Sequence, residues 1–266
     1  MNVLDFNEEV WERGRELYRD MPWRDNTDPY YVLVSELMLQ QTQVDRVIPK
    51  FELFIHTFPD LRVLAQAPLA DVLTVWSGLG YNRRAKFLHE AAKKVIADFG
   101  GHIPHTYDEL VSLPGIGPNT AGAILAYSFN EVVTFIETNV RTVYFHHFYD
   151  DQPTVTDKEL RELVGKTVDT EHPRQWYWAL MDYGSYLKKQ GVGRNAKSSH
   201  YKKQAPLKGS LREVRGLILK SLALEDATYT QLESAMPHDP RFAVAIEALL
   251  REGMVTNTAG RLHLSR

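Results

Sequence analysis

The chain has 266 residues, 44% of them hydrophobic, with a formal net charge of −3 and no cysteine. That is enough apolar material for two helical lobes and a small appendage, while the missing cysteine excludes disulfides, thiolate metal sites and a cysteine nucleophile. The acidic balance excludes a uniformly basic nucleic-acid binder, so any contact with phosphate has to come from cations gathered locally.

The first twenty residues, MNVLDFNEEVWERGRELYRD, are too charged for a signal peptide and no apolar run reaches bilayer length, so a cytoplasmic protein is expected. Apolar positions recur at three- and four-residue spacing over 7–19, 30–44, 62–77, 84–98, 119–129 and 157–188, which predicts a nearly all-α body. EVVTFI at 131–136 has β propensity but is short, and it reads as an extended connector leading into a helix. His146 and His147 in that helix lack a carboxylate or cysteine at ligand spacing and read as ordinary helical residues. From 188 to 208, Lys188, Lys189, Arg194, Lys197, Lys202, Lys203 and Lys208 occur with no acidic residue, a basic linker. Beyond it, in 209–266, come three helical patterns and VTNTAGRLHLSR, a two-strand wing around Ala259-Gly260, the plan of a winged helix. Its third helix, 240–252, presents Arg241 and Arg251 and is suited to a DNA groove; dimerisation or packing on the body are the alternatives.

The most mechanistic local signal is LPGIGPNTAG at 113–122. Gly115 and Gly117 around Ile116 allow a tight turn whose N–H groups open onto the start of a helix, a place that can hold a phosphate, and Pro118 suits the first helical turn. A turn that merely caps a helix would explain these residues as well. The flanking sequence decides. PWR at 22–24, SELMLQQTQV at 35–44, WSGLGYNRRA at 76–85, the hairpin, and ETNVRTV at 137–143 together resemble the helix-hairpin-helix (HhH-GPD) DNA glycosylases, from about Leu17 to Tyr186. The MutY adenine glycosylases are the branch they resemble most.

That resemblance implies a two-lobed, all-α glycosylase fold with a central DNA-binding cleft in 1–187, followed by the 188–208 linker and the 209–266 winged helix. One lobe would be the helical barrel with the hairpin, 21–129, and the other 1–20 with 130–187. It also implies a monomer working on nucleoid DNA in base excision repair, with Gly115, Ile116 and Gly117 amides on the duplex backbone and a Na+ or K+ ion on the Leu113 and Ile116 carbonyls. The family's cluster-binding cysteines would follow Tyr186, where this chain has its basic linker, so no iron–sulfur cluster is expected. Lys197, Lys202 and Lys203 are expected to take over backbone contact there, a solvated tether being the alternative.

Cleaving an N-glycosidic bond calls for one carboxyl group to protonate the leaving base and one carboxylate to stabilise a cationic sugar. Glu36 stands in the uncharged run YYVLVSELMLQQTQV, where desolvation favours its protonated form, and the resemblance implies that it is the acid. Glu137 occupies the place of the family's aspartate and is one methylene longer; its implied role is to stabilise the cation across the same groove, oriented by Asn139. Helix-surface and helix-capping roles are the bland alternatives for these two acids. Asn119 falls where bifunctional relatives carry a Schiff-base lysine, so base removal without strand cleavage is expected. Arg19, Trp23 and Leu39 match positions around the extruded purine, whereas Trp178 replaces a Glu or Gln and donates only. Gln41 and Tyr81 are read as the elements that fill the gap in the stack, Thr42 as a further DNA contact, and Arg83 and Arg84 as phosphate contacts. The other readings are the same chemistry on hypoxanthine, an alkylated or oxidised purine or a mismatched thymine, and a non-catalytic DNA-binding protein.

Overall fold

In the computed structural model, described over residues 2–149, 154–192, 206–236 and 239–265, the body is helical and a small antiparallel sheet lies near the C-terminus, as the pattern predicted. The chain divides into two compact units, 1–32 with 105–112 and 116–203, and 33–104 with 113–115 and 204–266. The expected lobe boundary put 21–129 with the barrel and left the winged helix separate; here 21–32, 105–112 and 116–129 join the first unit and 204–266 the second.

In the first unit, α1 (Val3–Glu16), α10 (Thr138–Phe148) and α12 (Pro173–Lys189) share an aromatic core. Phe6 lies with its ring centroid 4.9 Å from Tyr144, 4.8 Å from Phe148 and 6.1 Å from Trp176. Helix α1 can approach α12 this closely because residue 14 is glycine: a Cβ there would lie 2.4 Å from that of Ala179. The connector 131–136 carries neither helix nor strand and leads into α10, as expected of a connector. Its last two residues, Phe135 and Ile136, are buried: Phe135 stacks on Tyr177 at 4.0 Å, and Gly122 of α9 (Pro118–Phe129) leaves room for that ring. α11 (Asp157–Thr167) starts with a reciprocal cap between Thr156 and Glu159.

His147 is packed inside this unit, with its Nε2 2.9 Å from the Tyr183 hydroxyl. Burial, reinforced by His146 and opposed by Glu9, pushes its imidazole down to about 4. A histidine so depressed takes up its proton more readily in the unfolded chain, so stability is full above the ordinary histidine value and falls as the pH drops from there towards 4. The melting temperature is expected to decline across that window and to decline less in His147→Gln. Equal slopes for the two proteins would show that another group controls the acid response.

In the second unit, α4 (Val44–Thr57), α5 (Leu61–Gln66), α6 (Leu69–Trp76) and α7 (Arg83–Asp98) enclose Phe51, Phe54, Leu64, Trp76, Leu88 and Val95. Asp60 starts α5 by accepting from the Arg62 and Val63 amides, and Pro68 separates α5 from α6. The C-terminal module of this unit comprises α13 (Leu211–Leu222), β1 (Ala227–Thr228), α14 (Tyr229–Ala235), α15 (Phe242–Arg251), β2 (Val255–Thr258) and β3 (Arg261–Leu264). Its wing has three strands rather than the expected two, in the order β1-β3-β2 and all antiparallel. Two residues at β1 are too few to show an alternation in sequence. The β2–β3 turn places Ala259 and Gly260 at φ 51° and 82°, the left-handed pair that a tight hairpin needs.

Candidate active site

Glu36 is the single charged residue of α3 (Pro29–Leu39), half-buried among Leu33, Val34, Leu37 and Met38, which are buried. The end of this helix is held by an unexpected residue. Arg84, read from the sequence as a phosphate contact, is 7% exposed, and its Nη1 donates to the carbonyls of Leu37, Met38 and Gln40 at 2.8, 2.9 and 2.5 Å. Its Nη2 reaches the Thr42 hydroxyl and the Gly80 carbonyl, both at 3.1 Å. A cation on the last carbonyls of a helix complements both their lone pairs and the helix dipole. Burial lowers the guanidinium to about 10, which leaves it charged at neutral pH. Arg84 therefore joins the end of α3 to the 78–80 turn, and its burial keeps the guanidinium from a phosphate in this arrangement.

Beyond that clamp, Gln41 is exposed and has φ 57°, in the left-handed region. Thr42 is half-buried on Arg84, and Leu39 is half-buried at the helix end. Tyr81 also has a positive φ, 49°, and is half-buried. Arg83 is exposed, 3.7 Å from Glu252, a loose surface pair that leaves it able to exchange partners.

At the hairpin, Gly115 takes φ 79°, and a Cβ there would stand 2.7 Å from that of Phe87, so conformation and space both demand glycine. Leu113 and Ile116 bury their side chains, and Gly117 caps α9 with Pro118 as its first residue. The N-terminal amides of α9 therefore begin a helix without an aspartate or serine to satisfy them. Asn119 does more than replace a lysine. Its Nδ2 donates to the Ile136 carbonyl at 3.0 Å and its Oδ1 accepts from the Ile136 amide at 3.3 Å, a two-way clamp on the residue preceding Glu137.

Glu137 is half-buried at the N-cap of α10. Asn139, expected to orient it, offers its Oδ1 to Lys188 Nζ at 3.0 Å, and burial followed by the charge of Arg19 lowers the Lys188 ammonium. Behind Asn139 the backbone of α10 presses on α12 so closely that a Cβ on Gly184 would lie 2.3 Å from the Asn139 carbonyl oxygen. The start of α10 is thus fixed from two directions, by Asn119 on one side and by α12 on the other.

Three of the residues expected to surround a base lie in the first unit. Arg19 donates from Nε to Asp182 Oδ1 at 2.6 Å and keeps its side chain 29% exposed. Trp23 is buried in α2 (Pro22–Asp25), and Trp178 is half-buried, stacked on Tyr127 at 6.4 Å. Two residues not singled out in the sequence organise them. Asp182, 2% exposed, accepts from Arg19 and receives both Nη1 and Nη2 of Arg24, at 2.7 and 3.0 Å. Held there, the Arg24 guanidinium lies 5.2 Å from the Tyr18 ring and 5.3 Å from that of Trp178. Arg24 was visible within PWR, and Asp182 follows Trp178 at helical i,i+4 spacing, the signal that could have found it. Lys197, Lys202 and Lys203 lie outside the described residues.

Residues 34–167 match the family described as "HhH-GPD superfamily base excision DNA repair protein". The chain is 36% identical over 173 residues to an adenine DNA glycosylase of Buchnera aphidicola, covering 64% of this chain and 48% of that one. It thus spans about half the length of that relative. To an adenine DNA glycosylase of Mycolicibacterium smegmatis it is 34% identical over 272 residues, covering 93% of this chain and 92% of the other. Among solved structures, a thermostable thymine-DNA glycosylase superposes with a TM-score of 0.64 at 25% identity, over 75% of this chain and 96% of that one.

Proposed function

The chain belongs to the HhH-GPD superfamily of base excision DNA repair proteins, and on that ground we propose that it is a monofunctional DNA glycosylase acting on a mispaired adenine in double-stranded DNA. The observation that carries this reading is a half-buried glutamate, Glu36, on an otherwise uncharged helix, in a chain alike over 93% of its length to an adenine DNA glycosylase. Glu36 protonates the leaving base, and Glu137 stabilises the positive charge that develops on the sugar. The engagement of Asn119 with Ile136, in place of a reactive amine, supports release without strand cleavage. Gln41 and Tyr81 occupy the gap left by the extruded nucleotide, and Arg19 and Trp178 contact the base.

The chain has no cysteine and hence no site for a four-cysteine iron–sulfur cluster. A Na+ or K+ ion on the carbonyls of Leu113 and Ile116 belongs to the same proposal. The tight turn at Gly115 supports it, and the ion would supply a fixed positive charge beside the duplex backbone. The linker lysines, a monomeric state and a place at the nucleoid complete the reading.

One observation favours a different base within the same chemistry. Trp178, held between Arg24 and Tyr127, offers a face and an N–H but no acceptor, which suits a base without an amino group at that edge. A panel of duplexes, each with one lesion or mismatch, tests both readings when treated with enzyme and then with or without alkali. Breaks confined to mispaired adenine and dependent on alkali are the expected result. Breaks at hypoxanthine or mismatched thymine alone would transfer the activity to that base, and breaks without alkali would overturn the monofunctional assignment.

A further inference from the structure

The C-terminal module carries residues that nothing above employs, and they meet the 78–81 turn rather than solvent. The carbonyls of this turn are bound by cations and an indole. Arg46 donates to Gly78 at 2.5 Å, Trp76 Nε1 to Gly80 at 3.2 Å, and Arg84 to Gly80 at 3.1 Å. The backbone supporting Tyr81 is therefore rigid. The Tyr81 side chain is held separately. Its ring lies 5.4 Å from the Arg84 guanidinium and 4.7 Å from that of Arg212, at the start of α13, and its hydroxyl accepts a hydrogen bond from Arg212.

A second set of contacts fastens the module at the same place. Glu252 receives both Nη atoms of Arg215 at 3.0 and 2.5 Å, stands 3.7 Å from Arg83, and offers its carbonyl to Lys86. By contrast Arg241, expected to enter a DNA groove from α15, is occupied by Asp239 at 2.6 Å, Glu213 at 3.2 Å and the Ser210 carbonyl at 3.0 Å. The module's cations near Tyr81 are those of α13, and its third helix offers Arg251 alone at its exposed end.

We propose that Arg212 is the positioning residue for Tyr81, and that the C-terminal module thereby works as part of the duplex-opening element. The proposal rests on the reading of Tyr81 as a wedge. Separating two stacked base pairs costs a few kcal/mol, and a side chain that swivels when loaded returns little of it. A planar guanidinium stacked on the phenol and bonded to its hydroxyl restrains both torsions of the tyrosine. An ammonium, lacking the plane, restrains neither as well.

The test uses the full chain and a mismatched duplex carrying 2-aminopurine beside the lesion, whose fluorescence rises when a side chain unstacks it. Arg212→Ala is expected to lower the opening equilibrium by about threefold to thirtyfold, the worth of one cation–π contact, in protein that circular dichroism shows to be folded at the assay temperature. Arg212→Lys should not restore it, and in a Tyr81→Ala background Arg212→Ala should add nothing further. Should Arg212→Ala fail to fold, Tyr81→Phe, which keeps the ring and deletes the acceptor, is expected to show a smaller loss in the same signal. Full rescue by lysine, or equal losses with and without Tyr81, would overturn the proposal and assign Arg212 to a phosphate. Unstacking by wild-type protein that never releases a base would overturn the glycosylase reading and leave this one standing; base release with opening indifferent to Arg212 would do the reverse.

Discussion

Glu36→Gln is expected to reduce base release by on the order of 10²–10⁴-fold, the usual worth of a positioned general acid. The substitution keeps the size of the side chain and its place on α3, where it lies among buried Leu33, Val34, Leu37 and Met38, and it removes the proton that the proposed reaction draws from Glu36. Because Arg84 holds the end of that helix independently of Glu36, the fold should be preserved and the affinity for a mismatched duplex should change little. Single-turnover release and a gel-shift titration separate the two effects. Retention of wild-type release by the glutamine variant would remove Glu36 from the chemistry.

The second large effect concerns Glu137. Glu137→Gln eliminates the negative charge proposed to stabilise the developing cation, and a loss of about 10²–10³-fold in the single-turnover rate is expected, the scale of one preorganised electrostatic contact. Glu137→Asp keeps the charge and is a good helix N-cap, so it should recover most of the rate, provided that the backbone holds the acid close enough. The clamp of Asn119 on Ile136 and the packing of Gly184 on Asn139 mean that this backbone has little freedom to compensate. An aspartate variant as slow as the glutamine one would show that side-chain reach matters here as much as charge. Full activity for both would make Glu137 a capping residue and nothing more.

The sequence was legible where a local rule is strict. LPGIGP demanded a left-handed glycine and a proline opening a helix, and Gly115 and Pro118 take those places. The apolar helix around Glu36 and the Ala259-Gly260 wing turn were equally plain. It was illegible where a side chain acts at long range. Arg84 lies between Arg83 and Lys86 and reads as one of a surface group, yet the helical period turns it 100° from Arg83 and into the core. The clamp by Asn119 joins residues 17 apart through main-chain atoms, which leave no mark in the sequence. Helix α4 escaped the periodicity because Pro49 sits inside it, on an exposed position. Asp182 looked like one acid in an aromatic helix, and only the fold brings Arg19 and Arg24 to it.

The single hydrogen that serves Gly184 as a side chain has a consequence for heat. With no cushion of methyl groups between α12 and the chain at Asn139, a small outward drift of α12 would transmit directly to the neighbouring acid, long before either helix unravelled. Such a protein would fall silent on warming while its circular dichroism still reported an intact molecule.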